Sequence, residues 1–169
     1  MGVPPTPRWR PTARLFVLDP LDRLLLFRFH FRGADGDASW LTPGGGLHRG
    51  ETVQAAAVRE LAEETGYAVT EEGLGPIVAT RGGLWQSSGG RLVFAADTYF
   101  LVRVTHSEVS TDGHEELERS LITGHRWWTV AELRETTESI SPPNAVDLVV
   151  ALIADGPPPS PVRLPWRSS

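Results

Sequence analysis

Five carboxylates crowd one short stretch of this chain. Residues 43–67 read PGGGLHRGETVQAAAVRELAEETGY; Glu51, Glu60, Glu63 and Glu64 lie in or beside one predicted helix, with Glu71 just beyond it. A helix advances ~100° per residue, so Glu60, Glu63 and Glu64 share a face. Like charges on one face are destabilising unless something neutralises them. A bound divalent cation is the simplest neutraliser, and hard oxygen donors favour Mg2+ or Mn2+ over zinc. A solvated acidic helix face is the alternative, because most charge clusters are no more than that. His30, His48, His106, His114 and His125 show no metal-ligand spacing, which argues against zinc as well.

The residues around the carboxylates are those needed to place them. Gly44, Gly45 and Gly46 allow a tight turn that brings backbone close to a ligand. Thr52 can cap the start of a helix expected over 52–65, and Gly66 suits its C-terminal cap. Ala55, Ala56, Val58, Leu61 and Ala62 are helix formers or small enough for close packing. Arg59 stands one turn before Glu63, a favourable spacing for an ion pair. It reads as an orienter of carboxylates rather than a substrate ligand.

Gly45, Glu51 and the run Arg59-Glu60-Leu61-Ala62-Glu63-Glu64-Thr65-Gly66-Tyr67 stand at the spacing of the Nudix box. The segment therefore resembles the signature of the Nudix hydrolase family, with every charged and glycine position filled. Tyr67 is the one departure, at a position where the family usually has an aliphatic residue. The resemblance extends over about residues 12–153, through the strand order and the element at 126–133. It implies an α/β fold, an α/β/α sandwich around a mixed sheet. It also implies a Mg2+-dependent hydrolase, with Mn2+ an alternative cofactor. Such an enzyme splits the pyrophosphate of a nucleoside diphosphate linked to another group, by attack of metal-activated water on phosphorus.

Carried over by position, Glu63 and Glu64 are the first choices as metal ligands. The Gly44 carbonyl is a further candidate, and Glu60 is a ligand or the general base. Glu51 could assist through water, or it could pair with Arg59. Many relatives recruit one more carboxylate from outside the box. Glu115, Glu116 and Glu118 precede the RWW segment, and Glu118 is the preferred candidate among them. Trp85 follows a glycine pair and is a candidate for stacking on a base or sugar. Arg81 and Arg91 flank it as candidate phosphate ligands.

The whole chain sets bounds on these readings. At 169 residues with 40% hydrophobic content it should form one domain with a substantial core. A net charge of −5 argues against a general nucleic-acid-binding surface but not against a small nucleotide-type substrate. All 16 basic residues are arginine, which suggests a GC-rich, bacterial coding sequence. Cysteine is absent, which excludes disulfides and thiolate metal sites and fits a cytoplasmic location. No apolar run approaches the ~20 residues of a membrane span. A homodimer is compatible with the sequence but not fixed by it.

Residues 1–11, with four prolines, are expected as an extended arm, 12–155 as the Nudix domain, and 156–169 as a Pro-rich tail, extended or disordered. Strands are expected at 12–18, 23–31, 76–86, 91–104 and 125–128, with a loop at 32–37 and a polar acidic segment at 106–120. A short helix capped by Thr129 and a longer one over 143–154 complete the pattern. Trp40, Trp127 and Trp128 are the tryptophans expected to supply core residues.

Three function classes fit the resemblance. A non-catalytic Nudix-fold nucleotide-binding or regulatory module typically loses box carboxylates, and none is lost here. An isoprenoid diphosphate isomerase on this fold would be expected to carry a catalytic cysteine. The hydrolase is therefore the preferred class. Its substrate is not legible, because Gly82-Gly83-Leu84-Trp85 matches neither the ADP-ribose nor the diadenosine polyphosphate pattern.

Overall fold

The computed structural model describes residues 6–30, 38–87 and 89–166. The expected loop at 32–37 lies outside them. The strands are β1 (Arg8–Leu18), β2 (Leu24–His30), β3 (Ala38–Leu41), β4 (Gly44–Gly46), β5 (Ile77–Gln86), β6 (Leu92–Arg103), β7 (Ile122–Trp128), β8 (Ser139–Ser141) and β9 (Val162–Arg163). The α-helices are α1 (Val53–Thr65), α2 (Glu116–Leu121), α3 (Val130–Glu135) and α4 (Ala145–Asp155). None of the described helices is long and apolar enough to cross a membrane.

The strands form one mixed sheet in the order β8-β3-β2-β1-β6-β5-β9, with β4 added to β1 and β7 to β2. β1 runs parallel to β6 along its whole length, from Arg8 beside Val93 to Leu18 beside Arg103. This pairing draws residues 8–11 into the sheet, so the strand begins four residues before the expected position 12. β1 meets β2 only at Leu18–Leu24, and β4 occupies the vacated edge at Thr12–Arg14. That divergence places the glycine turn against the middle of β1.

Alternation along β1 assigns its two faces. Ala13, Leu15 and Val17 pack with Ala56, Ala57 and Leu61 of α1, together with Phe100 and Val102. Phe16 and Leu18 pack on the other face with Tyr99, Trp40, Trp128 and α4 residues Leu148, Val149 and Leu152. Helices therefore cover both sides of the sheet, as expected of an α/β sandwich. Trp128 and Trp40 are core residues, in edge-to-face contact at 5.2 Å. Trp127 is only partly buried against the α1 side.

The tail departs from the expectation of an extended or disordered segment. β9 pairs with β5, Leu164 is buried, and its amide donates to the Thr80 carbonyl at 2.8 Å. Trp166 lies across Gly83, where an added Cβ would fall 2.1 Å from the indole. Leu164 and Trp166 supply the reason: they turn inward just past β9, while Val162 stays exposed.

Candidate active site

The glycine turn and α1 meet through Glu64. Its carboxylate accepts the Gly44 amide hydrogen at 2.6 Å, and its side chain is almost wholly buried. Gly44 has φ +128° and lies so close to Ala13 that any Cβ would overlap the backbone of β1, which only glycine permits. The Gly44 carbonyl accepts from Arg14 Nη1 at 2.9 Å. The start of α1 is capped as expected, with Thr52 accepting from the Ala55 amide at 3.1 Å. Gly66 ends the helix in the left-handed conformation, and Tyr67 packs behind it with its hydroxyl donating to the His106 carbonyl at 2.8 Å.

Arg59 occupies the centre of the box. Its guanidinium donates to both oxygens of Glu51 at 2.8 and 2.9 Å, to Glu60 at 2.8 Å, to Glu63 at 3.0 Å and to the Gly46 carbonyl at 3.1 Å. Glu51 thus pairs with Arg59, one of the two alternatives open in the sequence. The Arg59 fork holds the Glu51 carboxyl down to about 2, well below its ordinary range. Glu71 is exposed, in the turn that precedes β5.

A third element completes the acidic group. Glu118 on α2 joins Glu60 and Glu64, and one carboxylate oxygen from each lies within 4.8 Å of the other two. Glu118 is delivered by a loop fastened to the C-terminal end of α1. The Ser110 amide donates to the Thr65 carbonyl at 2.9 Å, and Gly113 abuts the Glu63 carbonyl. His114 is buried, with Nε2 2.9 Å from the Glu64 carbonyl. A carbonyl oxygen can only accept, so Nε2 carries the hydrogen. Glu115 and Glu118 then form a reciprocal capping box at the start of α2. Glu63 stands at the rim, 37% exposed and turned to Arg59.

Burial pushes the Glu60 carboxyl up despite the opposing pull of Arg59. Burial pushes Glu64 up further, to about 8, against the Gly44 hydrogen bond and with help from the nearby Glu60 and Glu118. Glu64 therefore favours its neutral form below about pH 8 until a cation supplies the missing charge. The donor set, three carboxylates with nearby backbone oxygens, fits a hard divalent ion. A cleft of about 430 Å³ opens above them, and Arg10, Arg14, Phe29 and Leu41 also line it.

A pH dependence follows. Between its ordinary value of 4.5 and about 8, folded Glu64 holds a proton that the unfolded chain has released. Its contribution to stability is therefore complete below 4.5 and lost as pH rises through about 8. Cation-free protein should melt at lower temperature at pH 8.5 than at pH 7, by at most about 1.4 kcal/mol per pH unit per proton. Glu64→Gln should flatten that slope in differential scanning calorimetry with EDTA. A Tm that rises over this interval would contradict the assignment.

The family profile of the NUDIX domain matches residues 8–148. The chain belongs to the Nudix family. It is 31% identical over 141 residues to a mutator protein, MutT4, of Mycobacterium tuberculosis, covering 78% of this chain and 52% of that protein. It is 38% identical over 65 residues to an RNA pyrophosphohydrolase of Caulobacter vibrioides, covering 38% of this chain and 37% of the relative. The matched part thus spans about half or less of these curated relatives. Among solved structures, the Escherichia coli ORF135 protein superposes with a TM-score of 0.60 at 19% identity, covering 88% of this chain and 93% of that one. A MutT Nudix hydrolase of Burkholderia pseudomallei gives 0.59 at 17% identity, with 85% and 96% covered. These likenesses identify this α/β architecture as the Nudix fold.

The structure separates the remaining sequence candidates. Arg81 is committed inward: its Nε lies 3.2 Å from Asp97, Nη1 donates to Ser141 at 3.1 Å, and its guanidinium lies over Trp166 at 4.8 Å. Trp85 and Arg91 line a different cleft from the carboxylates. Arg10 and Arg14, which line the acidic cleft, were missed by sequence reasoning. Their signal was the alternation in RWRPTAR, which sets Arg8, Arg10 and Arg14 on one strand face.

Proposed function

We propose that this Nudix-family chain is a Mg2+-dependent hydrolase that cleaves the pyrophosphate of a nucleoside diphosphate linked to another group. The observation that supports it is the convergence of Glu60, Glu64 and Glu118 within 4.8 Å, in a cleft that Arg10 and Arg14 also line. Carboxylates at one site of a cleft and guanidiniums beside them suit a phosphate chain held through cations and through direct hydrogen bonds.

In this reading Glu60 and Glu64 hold the cation, and Glu63 joins them from the rim. The cation supplies charge neutralisation and lowers the pKa of a bound water. Glu118, the least buried of the converging three, receives the proton of the attacking water. Arg59 keeps Glu51, Glu60 and Glu63 in place and does not touch substrate. Arg10 and Arg14 bind phosphate oxygens, and Arg14 also fixes the Gly44 carbonyl. A cytoplasmic location belongs to the same proposal. So does a homodimer, whose contact would use exposed Trp9 and Leu84 with half-buried Phe94 between them in one row of the sheet.

The test is a panel of nucleotide sugars, dinucleotides, coenzymes, nucleoside triphosphates and capped RNA, incubated with Mg2+ or Mn2+ and followed by product release. At least one member should be cleaved, and Glu64→Gln should abolish that cleavage. A wild type that binds nucleotides in calorimetry but cleaves none would replace the hydrolase with a binding module.

A further inference from the structure

Beside the acidic cleft, with Arg10 lining both, lies a second cleft of about 470 Å³. That volume falls within the range of pockets that hold small ligands. Arg8, Arg10 and Arg91 line it together with Trp85, and Val93 contributes to it from β6. Strand register explains the grouping. Arg8, Val93 and Trp85 form one row across β1, β6 and β5, with Arg10 one step further along β1 on the same face.

The three arginines are exposed, and none has a carboxylate within ion-pair distance among the described residues. Arg23, Arg59, Arg81, Arg103 and Arg126 all do. In a chain of net charge −5, three neighbouring guanidiniums with no carboxylate partner among the described residues concentrate positive potential. Guanidinium forks match phosphate oxygens. The half-buried Trp85 offers a ring for stacking, which every nucleobase can use. Arg10 lines both clefts, so the two are neighbours with one guanidinium between them.

We propose that the arginine cleft is a second subsite, which receives a phosphate-bearing nucleoside beyond the pyrophosphate to be cleaved. The assignment of this nucleoside to a substrate rests on the hydrolase reading above. It narrows the substrate class to molecules with two nucleosides joined through phosphates, whether dinucleoside polyphosphates or 5′-polyphosphorylated oligonucleotides. Bases stack on Trp85, and Arg8, Arg10 and Arg91 take the distal phosphate.

Calorimetry in EDTA isolates the subsite, with adenosine 3′,5′-bisphosphate as probe because it has no pyrophosphate to cleave. Wild type should bind the bisphosphate, and adenosine should bind far more weakly. Arg8→Ser/Arg91→Ser should weaken the bisphosphate by at least about tenfold. Trp85→Ala should weaken the bisphosphate while leaving inorganic phosphate unaffected. Circular dichroism establishes that each variant is folded. No binding by wild type, or equal binding by the folded double variant, overturns the subsite.

A second arm uses Mg2+ and compares kcat/KM for diadenosine tetraphosphate, a 5′-triphosphorylated dinucleotide and ATP. The double variant should lose at least about tenfold in preference for one of the two-nucleoside substrates over ATP, and which one it is identifies the source. An unchanged preference for both overturns the proposal. If wild type binds the bisphosphate but hydrolyses nothing, the hydrolase reading fails and the subsite stands.

Discussion

Glu64→Gln is expected to lower hydrolysis by on the order of 10³-fold while leaving the fold intact. Glutamine keeps the size of glutamate and an oxygen for the Gly44 amide, which now sits 2.6 Å from the carboxylate. In the cation-free protein the change is mild, because burial already pushes the Glu64 carboxyl up to about 8. Once a cation is bound the situation reverses, since a neutral amide cannot supply the charge that a hard divalent ion requires. The variant should therefore be more stable than wild type in EDTA at pH 8 and gain much less Tm on addition of Mg2+. Initial rates and a Mn2+ titration by calorimetry separate the effects. Lost activity with undiminished Mn2+ affinity would remove Glu64 from the cation site.

Arg59→Met should have the largest effect on stability, about 3 kcal/mol. The guanidinium is only 20% exposed and bonds to Glu51, Glu60 and Glu63 at once. Its removal strands three carboxylates on and beside one helix, and the Glu51 carboxyl loses the partner that holds it near 2. The partial exposure of the cluster places the cost at the lower end of what breaking a buried pair produces. For a chain of this length the Tm should fall by roughly 6–12 °C in EDTA. Mg2+ should recover part of that loss by supplying charge of the same sign. Arg59→Lys should fall between, because a point charge cannot reach three carboxylates as a fork does. An unaltered Tm in Arg59→Met would mean that the cluster is held by other contacts.

The box helix was legible because its determinants are local. The Thr52 cap, the Gly66 exit, the Arg59–Glu63 pair and the apolar stripe all lie within a few turns of one another. Tyr67 was legible as packing for the helix exit for the same reason. Glu118 could be named from its acidic neighbourhood, yet its approach to Glu60 and Glu64 could not. That approach depends on Ser110, Gly113 and His114 gripping the last carbonyls of α1 across some fifty residues of chain. The segment at 106–120 is polar without period, so α2 left no pattern to read. Arg81 misled because sequence shows a guanidinium but not the Asp97 that claims it. β3, β4, β8 and β9 are too short to display alternation and are made by pairing partners far away in sequence.

β1 sends alternate residues to opposite tasks, and this shapes how such an enzyme could change its diet over evolutionary time. Arg8, Arg10 and Arg14 can be exchanged one by one, altering what the clefts accept, while Ala13, Leu15 and Val17 keep α1 seated. An inserted or deleted residue within the first half of the strand would instead swap the two sets, burying guanidiniums under α1 and baring the core. Specificity in this protein is thus open to point substitution and closed to changes of length along β1.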